Sequence, residues 1–492
     1  MSGNKALKGR SVKTSRFALT ATAFGLLALV SGCATGGSIG FPGMGAPKVS
    51  NPVKNLPSSF RDAPPAPIGD SAAWWSQFAD PVLNQLVRDA LNESISVQLA
   101  SQRLKEARAT GRSTIAGFAP RVNFVGTAST DYARNNEQLR TSDGALVDQQ
   151  TTGAETFRAS WELPLFGRLS SSISGARANE VGAKASVEAA KIAIIADLAA
   201  AYNELRNAQQ SLAFLREEAD RAEKLIIIAN EREASGLISL ADKGLIQGQA
   251  AQTKQRVPDA ELRVKAGLDR IAILRGVVPG SLDTLLAPDP AFSFNTQAPV
   301  VEGVPANFIR RRLDVKRAEQ DAILQAAGVG IARADLYPSL SIIGTITTLS
   351  SLAGSPLAAS REVANATPAI DIPLFNFGQR RAGVRAAQSR FKQALLAYRS
   401  TTLNAIAEGQ AALSGYEQAR LRAQAALDGE GAAQLRYNAA VSGFKAGLIS
   451  YRDRLDAESG LAAAKQARLA SQAQFSDAAI GLYRTFAGSP GI

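Results

Sequence analysis

Ser235-Gly236-Leu237-Ile238-Ser239-Leu240-Ala241-Asp242 returns as Ala446-Gly447-Leu448-Ile449-Ser450-Tyr451-Arg452-Asp453, 211 residues further along the chain. Two more echoes lie upstream in the same order. Glu162-Leu163-Pro164-Leu165-Phe166 is answered by Asp371-Ile372-Pro373-Leu374-Phe375 at an offset of 209. Ala119-Pro120-Arg121-Val122 is answered by Tyr337-Pro338-Ser339-Leu340 at an offset of 218. Three ordered matches at nearly one spacing indicate two copies of a single structural unit. The drift in offset places insertions in connections, most plainly in the polar stretch 134–153. Pro279, Pro288, Pro290, Pro299 and Pro305 punctuate the join between the copies.

Each copy carries two short strand candidates. Phe157, Ala159, Trp161 and Leu163 alternate with Thr156, Arg158, Ser160 and Glu162. Val122, Phe124, Gly126, Ala128 and Tyr132 repeat that face against Asn123, Thr127, Ser129 and Asp131. In the second copy Leu340, Ile342 and Ile346 alternate with Ser341, Thr345 and Thr347, and Ile370, Ile372 and Leu374 with Asp371 and Pro373. Period two gives one apolar and one wet face. It fits a barrel in lipid, and it fits a half-buried sheet of a soluble domain equally well.

The remainder of each copy reads as long helix. No proline interrupts 168–235, a stretch that would reach roughly 100 Å at helical rise. Leu198, Leu205, Leu212, Ala219 and Ile226 form one seven-residue column, interleaved with Ile194, Ala201, Ala208, Leu215, Ala222 and Ala229. Phe391, Tyr398, Ala405, Ala412, Ala419, Ala426 and Ala433 repeat the spacing in the second copy. Two such columns make a coiled-coil seam whose alanines permit close approach. After each Gly-Leu-Ile-Ser the chain runs back as a second helix, 240–275 and 451–487, the glycine allowing the reversal.

At the N-terminus Lys5, Lys8, Arg10, Lys13 and Arg16 precede a 14-residue apolar run, Phe17 to Val30. That run is too short to span a bilayer as a helix. Leu29-Val30-Ser31-Gly32-Cys33 resembles the lipobox of a bacterial lipoprotein signal, in which the cysteine becomes the acylated first residue. Cys33 is the only cysteine in the chain, so its lipidation leaves no thiol or disulfide chemistry. Ala34 in place of an aspartate leans the destination towards the outer membrane. The glycines from Gly36 to Gly45 read as a flexible tether.

Composition excludes several functions. There is no histidine, which removes Ser-His-Asp catalysis and His metal sites, and neither a metal site nor a cofactor is expected. The net charge of +12 includes the five leader positives, and the other basic residues are interspersed with acids, so nucleic acid is not an expected partner. Ser389-Arg390-Phe391-Lys392 fits a Ser-x-x-Lys pattern but lies mid-helix on a heptad column. The chain is not read as an enzyme.

Four strands cannot close a barrel, for which about eight is the practical minimum. If they lie in lipid they must pool with strands of other copies, because each unpaired backbone group there costs several kcal/mol. The long helices would then continue the pore as a tunnel. The residues now support a resemblance. Trp74-Trp75, Phe78, Asp80-Pro81, Leu83 and Leu86-Val87 are similar to the opening helix of TolC-type outer membrane efflux proteins, in particular the OprM/NodT-like efflux lipoproteins. Arg312-Leu313-Asp314, Ala318-Glu319, Ile331-Ala332-Arg333-Ala334 and Pro338 resemble that family's second-half opening, with Leu313 where a proline is usual. The resemblance implies a mainly α, internally duplicated TolC-like fold with a transmembrane β-barrel and a coiled-coil α-barrel. It also implies a homotrimer in the outer membrane with a large periplasmic extension, a periplasmic adaptor and an inner membrane pump of RND type as partners. The function it implies is a passive exit duct for efflux. The alternative is a non-transporting coiled-coil lipoprotein that tethers or spaces the envelope.

The expected organisation is a signal peptide (1–32), a Gly/Pro-rich tether (33–70), a first repeat (71–276) with strands about 121–133 and 155–164 and a hairpin over 168–275, a linker (277–305), and a second repeat (306–488) with strands about 338–349 and 364–375 and a hairpin over 378–487. The turns Gly236-Leu237-Ile238-Ser239 and Gly447-Leu448-Ile449-Ser450 are expected at the periplasmic tip, either as adaptor-docking surfaces or as simple chain reversals. Asp242, Phe444, Arg452, Asp453 and Asp456 are candidate gate residues, the acids forming rings about a symmetry axis that pair with Arg452 or Arg454. The other reading of these groups is solvated helix charge. Ser459 stands where the family usually has a basic residue, which leaves the gate's ion pairs open.

Overall fold

A computed structural model describes residues 45–50, 53, 73–132, 139–140, 146–147, 149–289, 292, 305–351 and 361–486. Cys33, the leader before it, nearly all of the tether and half of the linker lie outside them. The described residues fall into two compact units, those within 1–46, 118–172 and 330–381, and those within 47–117, 173–329 and 382–492. These units cut across the sequence repeats, because each repeat supplies strands to one and helices to the other.

The first unit is built on a four-stranded antiparallel sheet of β1 (Arg121–Tyr132), β2 (Gln149–Leu163), β3 (Ser339–Ser351) and β4 (Arg361–Asp371), side by side in that order. A two-residue pair, Leu139–Arg140 with Leu146–Val147, accompanies it. Register aligns the alternation of all four strands. Phe124, Phe157, Ile346 and Ala364 form one row across the sheet. Asn123, Arg158, Thr345 and Asn365 form the next, on the opposite face. The polar face is tied by hydroxyl pairs, Ser129 with Thr152 at 2.9 Å and Thr156 with Thr347 at 3.1 Å. On the apolar face Phe124 and Phe157 meet with ring centroids 4.9 Å apart, yet they remain 57 % and 53 % exposed. The sheet is open, and β1 and β4 are its edges.

β2 starts six residues before the alternation implies, since Gln149–Thr152 pairs with Ser129–Tyr132 despite its polar composition. β4 stops at Asp371, short of Ile372 and Leu374, because its partner β3 begins opposite it at Ser339. Beyond each strand pair the chain turns into helix through two consecutive left-handed residues. These are Phe166 and Gly167 (φ 55° and 78°) in the first repeat, and Phe377 and Gly378 (φ 49° and 81°) in the second. The structurally equivalent phenylalanines are therefore 211 residues apart. The Pro-Leu-Phe match at 209 is out of register by two, because backbone conformation and not the apolar triplet fixes where the helix begins.

The second unit is helical. It contains α1 (Pro81–Glu93) and α2 (Ile95–Ala116). Two long helices follow, α3 (Arg168–Ala234), whose first residues belong to the other unit, and α4 (Leu240–Arg275). After the join come α5 (Pro305–Arg311) and α6 (Leu313–Ala334), then α7 (Gln379–Lys445) and α8 (Tyr451–Phe486). The repeats match in length to the residue: α3 and α7 have 67 residues, α4 and α8 have 36, α2 and α6 have 22. No helix among the described residues is long and apolar enough to cross a membrane.

The heptad columns are buried where they meet neighbours: Leu198, Ala201, Leu205 and Ala405 are wholly covered. Burial of each such leucine contributes roughly 1.5–3 kcal/mol. Gly267 of α4 sits where an added Cβ would lie 3.2 Å from Leu205 Cδ1, so a larger residue at this crossing pushes against Leu205. Ahead of α1, Trp74 stacks on Tyr483 of α8 at 5.0 Å and Phe78 meets the same ring edge-on. Asp80 caps α1 by accepting from Leu83 N at 2.9 Å and takes a second bond from Tyr202 Oη at 2.8 Å. Burial raises the Tyr202 phenol well above its ordinary value, which keeps it a neutral donor. Buried Arg206 donates to the Ala287 carbonyl at 2.6 Å, and Gln209 to the Leu286 carbonyl at 2.8 Å, so α3 clamps the first half of the linker.

Candidate functional site at the helix tips

The two Gly-Leu-Ile-Ser segments fold alike. Gly236 N donates to Glu233 O and Leu237 N to Arg232 O, and at the second tip Gly447 N donates to Phe444 O and Leu448 N to Gly443 O. This paired pattern is a Schellman closure, which places the glycine at positive φ, here 68° and 72°. The leucine is thereby pushed outwards: Leu237 is 70 % and Leu448 80 % exposed. The isoleucine turns back. Ile238 packs on Ala229, Ile246 and Leu455, and Ile449 lies against Gly443.

A capping box restarts the chain in each tip. Ser239 Oγ accepts from Asp242 N at 3.0 Å and donates to Asp242 Oδ2 at 2.7 Å. Ser450 Oγ accepts from Asp453 N at 3.1 Å and donates to Asp453 Oδ2 at 2.7 Å, and Ser450 N adds a bond to that carboxylate at 3.0 Å. The Ser450 hydroxyl, then its amide, hold the Asp453 carboxyl below the ordinary aspartate value. Asp242 and Asp453 thus have a local task at their helix starts.

The tips differ in what supports them. In the first, Glu233 pairs with Lys243 at 3.1 Å. The equivalent positions in the second hold Phe444 and Arg454, whose guanidinium lies 5.8 Å from the Phe444 ring centre and 5.7 Å from that of Tyr451. Arg232, from the first hairpin, covers the same two rings at 5.4 and 5.1 Å. Phe444 and Tyr451 are 5.5 Å apart. Arg454 reaches Glu458 at 3.7 Å rather than an aspartate. The Tyr451 hydroxyl and Arg454 Nε are buried without a hydrogen bond among the described residues. Arg452 and Asp456 are exposed.

Of the sequence candidates, the structure brings Phe444 into this cluster and leaves Arg452 and Asp456 on the surface. Arg232 and Tyr451 are participants that the sequence reading missed. The signal for Tyr451 was present, because the repeat substitutes an aromatic for Leu240. Arg232 offered none, since its partners lie on the other hairpin.

Comparison with known proteins agrees with this architecture. Residues 86–276 and 304–488 match the family described as outer membrane efflux protein, one segment in each repeat. The chain is 28 % identical over 373 residues to nodulation protein T of Rhizobium leguminosarum bv. viciae, covering 75 % of this chain and 74 % of that protein. It is 26 % identical over 445 residues to the cation efflux system protein CusC of Escherichia coli, covering 86 % and 91 %. Among solved structures, the Campylobacter jejuni CmeC outer membrane channel superposes with a TM-score of 0.81 at 20 % identity, covering 90 % of this chain and 94 % of that one. The chain belongs to the outer membrane efflux protein family.

Proposed function

We propose that this chain is the passive exit duct of a tripartite efflux assembly. Three copies pool their sheets into a twelve-stranded barrel, and their helical hairpins line the periplasmic continuation. The observation that carries this reading is the open four-stranded sheet, apolar and exposed on one face and tied by hydroxyl pairs on the other, with β1 and β4 at its edges among the described residues. In hydrocarbon such edges cost several kcal/mol per unpaired group, and closure with identical sheets removes them. Lipidation at Cys33 tethers each copy to the outer membrane.

Leu237 and Leu448 present paired apolar points to the helical hairpins of a periplasmic adaptor, which couples the duct to an inner membrane pump of RND type. Phe444, Arg452 and Asp456 act at the gate, while Asp242 and Asp453 hold the tip geometry through their capping boxes. The energy and the choice of cargo reside in the pump. The test is conductance: purified protein in planar bilayers opens discrete pores, and deletion of its gene raises sensitivity to exported toxic compounds. Absence of both effects overturns the reading.

A further inference from the structure

The sheet sorts its charges by face. On the apolar face Glu155 and Glu362 share one row with Gly126 and Thr348, next to the row of Phe124 and Phe157. On the polar face the acids lie towards the strand ends. Asp131 stands near the end of β1 and Asp371 ends β4. Glu162 stands near the end of β2, where Arg168 pairs with it at 3.2 Å. Between them the row Asn123, Arg158, Thr345 and Asn365 crosses all four strands with a single charge, that of Arg158.

Arg158 is exposed, and among the described residues no carboxylate pairs with it. The 211-residue relation that links Phe166 to Phe377 makes Ala369 its counterpart in the second repeat. Ala369 occupies the same face of β4, so a strand of this kind forms without a guanidinium at that position. The neighbours of Arg158 in the row are hydrogen-bonding groups. Thr345 Oγ1 donates to Asn365 Oδ1 at 2.8 Å, which engages the acceptor of that side-chain amide and leaves its N–H donors for a ligand. The row thus sets a full positive charge beside amide donors, with no negative group among them, a chemistry suited to anions.

We propose that this row is an anion-selecting belt in the bore of the duct, with Arg158 as the residue that sets the charge preference. The inference rests on the trimeric duct reading, which turns the polar face inwards. It adds the class of compound that passes most readily: anions carrying sulfonate, carboxylate or phosphate groups. The pump chooses the cargo, and the belt favours its negatively charged members at the exit. Each copy contributes one Arg158, so guanidiniums recur around the bore as in the cationic rings of anion pores. Arg121, one row nearer the helices on the same face, adds positive charge, but Glu162 and Asp371 stand at that end and offset it. Salt sets the reach of the belt. The screening length is about 30 Å at 0.01 M, where the field spreads across the bore, and about 8 Å at 0.15 M, where it is confined to the wall.

The test is thiol modification in the full-length chain, with Cys33 retained and the parent chain as control. Ser160→Cys places a reporter on the same face two residues along β2 from Arg158, about 7 Å away. Its reaction rates are measured at low salt with an anionic sulfonatoethyl, a cationic trimethylammonioethyl and a neutral methyl methanethiosulfonate. The anionic-to-cationic rate ratio is expected to fall roughly fivefold when Arg158→Gln is added, as one unit charge at that distance in water dictates, and to fall further with Arg158→Glu. At Ser129→Cys, about 20 Å along the sheet, the change should stay below about twofold. Arg158→Lys keeps the charge and should preserve the ratio at both reporters. A ratio that Arg158→Gln leaves unchanged, while the Ser160→Cys thiol reacts freely, overturns the belt and leaves the duct reading standing. Equal loss in Arg158→Lys and Arg158→Gln assigns the effect to structure and overturns the charge role. A Ser160→Cys thiol that even the neutral reagent cannot reach overturns the duct reading and this inference with it.

Discussion

At the residue scale, the tips divide labour within four letters. Glycine reverses the chain, leucine faces outwards, isoleucine anchors inwards, serine starts the return helix. Replacing both Leu237 and Leu448 with aspartate should abolish adaptor-dependent efflux while leaving thermal stability and single-channel conductance unchanged, since neither side chain is packed within the chain. Ser239→Ala should cost about 1 kcal/mol of local helix stability, read as faster amide exchange in the first turn of α4. The Asp453 carboxyl has a depressed folded value, so the stability it contributes is present above the unfolded value and is lost as pH falls through the folded one. Amide protection at the second tip should accordingly persist at the ordinary aspartate value of 3.8 and disappear only in stronger acid. Fraying well above that value would argue against the capping box as its source.

At the element scale, faces and crossings decide. Phe157→Lys places a charge on the exposed apolar face and should cost about 2–4 kcal/mol near the middle of a bilayer, seen as loss of heat-resistant assembly. Thr156→Lys, one residue away on the polar face, should be tolerated. Gly267→Val forces side-chain atoms onto Leu205 and should destabilise the α3–α4 hairpin by about 1–3 kcal/mol, measured as a fall in denaturation midpoint. Much of this was legible in sequence. Period two around Phe157 and period seven through Leu198 and Leu205 are statements about single elements: the first appears as rows of like faces across the sheet, and burial follows the second. The polar start of β2 was hidden because pairing with β1 creates it. The tip cluster of Arg232, Phe444, Tyr451 and Arg454 was hidden because it joins hairpins that sequence keeps far apart.

At the scale of the whole molecule, the repeat is the organising fact. Two copies of one unit give a chain with six-fold pseudo-equivalence available to a trimer, and departures from it identify where the copies specialise. The ion pair Glu233–Lys243 and its aromatic counterpart Phe444–Arg454 are one such departure. Exchanging the second for the first, by Phe444→Glu with Arg454→Lys, should leave assembly intact and raise leakage of large antibiotics through the resting pore, measured by uptake assays. Unchanged permeability would remove Phe444 from the gate.

The residue-for-residue equality of α3 with α7 and of α4 with α8 has a consequence for how such a chain can change. In the proposed duct, staves of one height would make a level rim, and trimming a single stave would leave a notch. Excising seven residues from both limbs of one hairpin should therefore be worse tolerated than the same excision made in both hairpins together, measured as the yield of heat-resistant assembly.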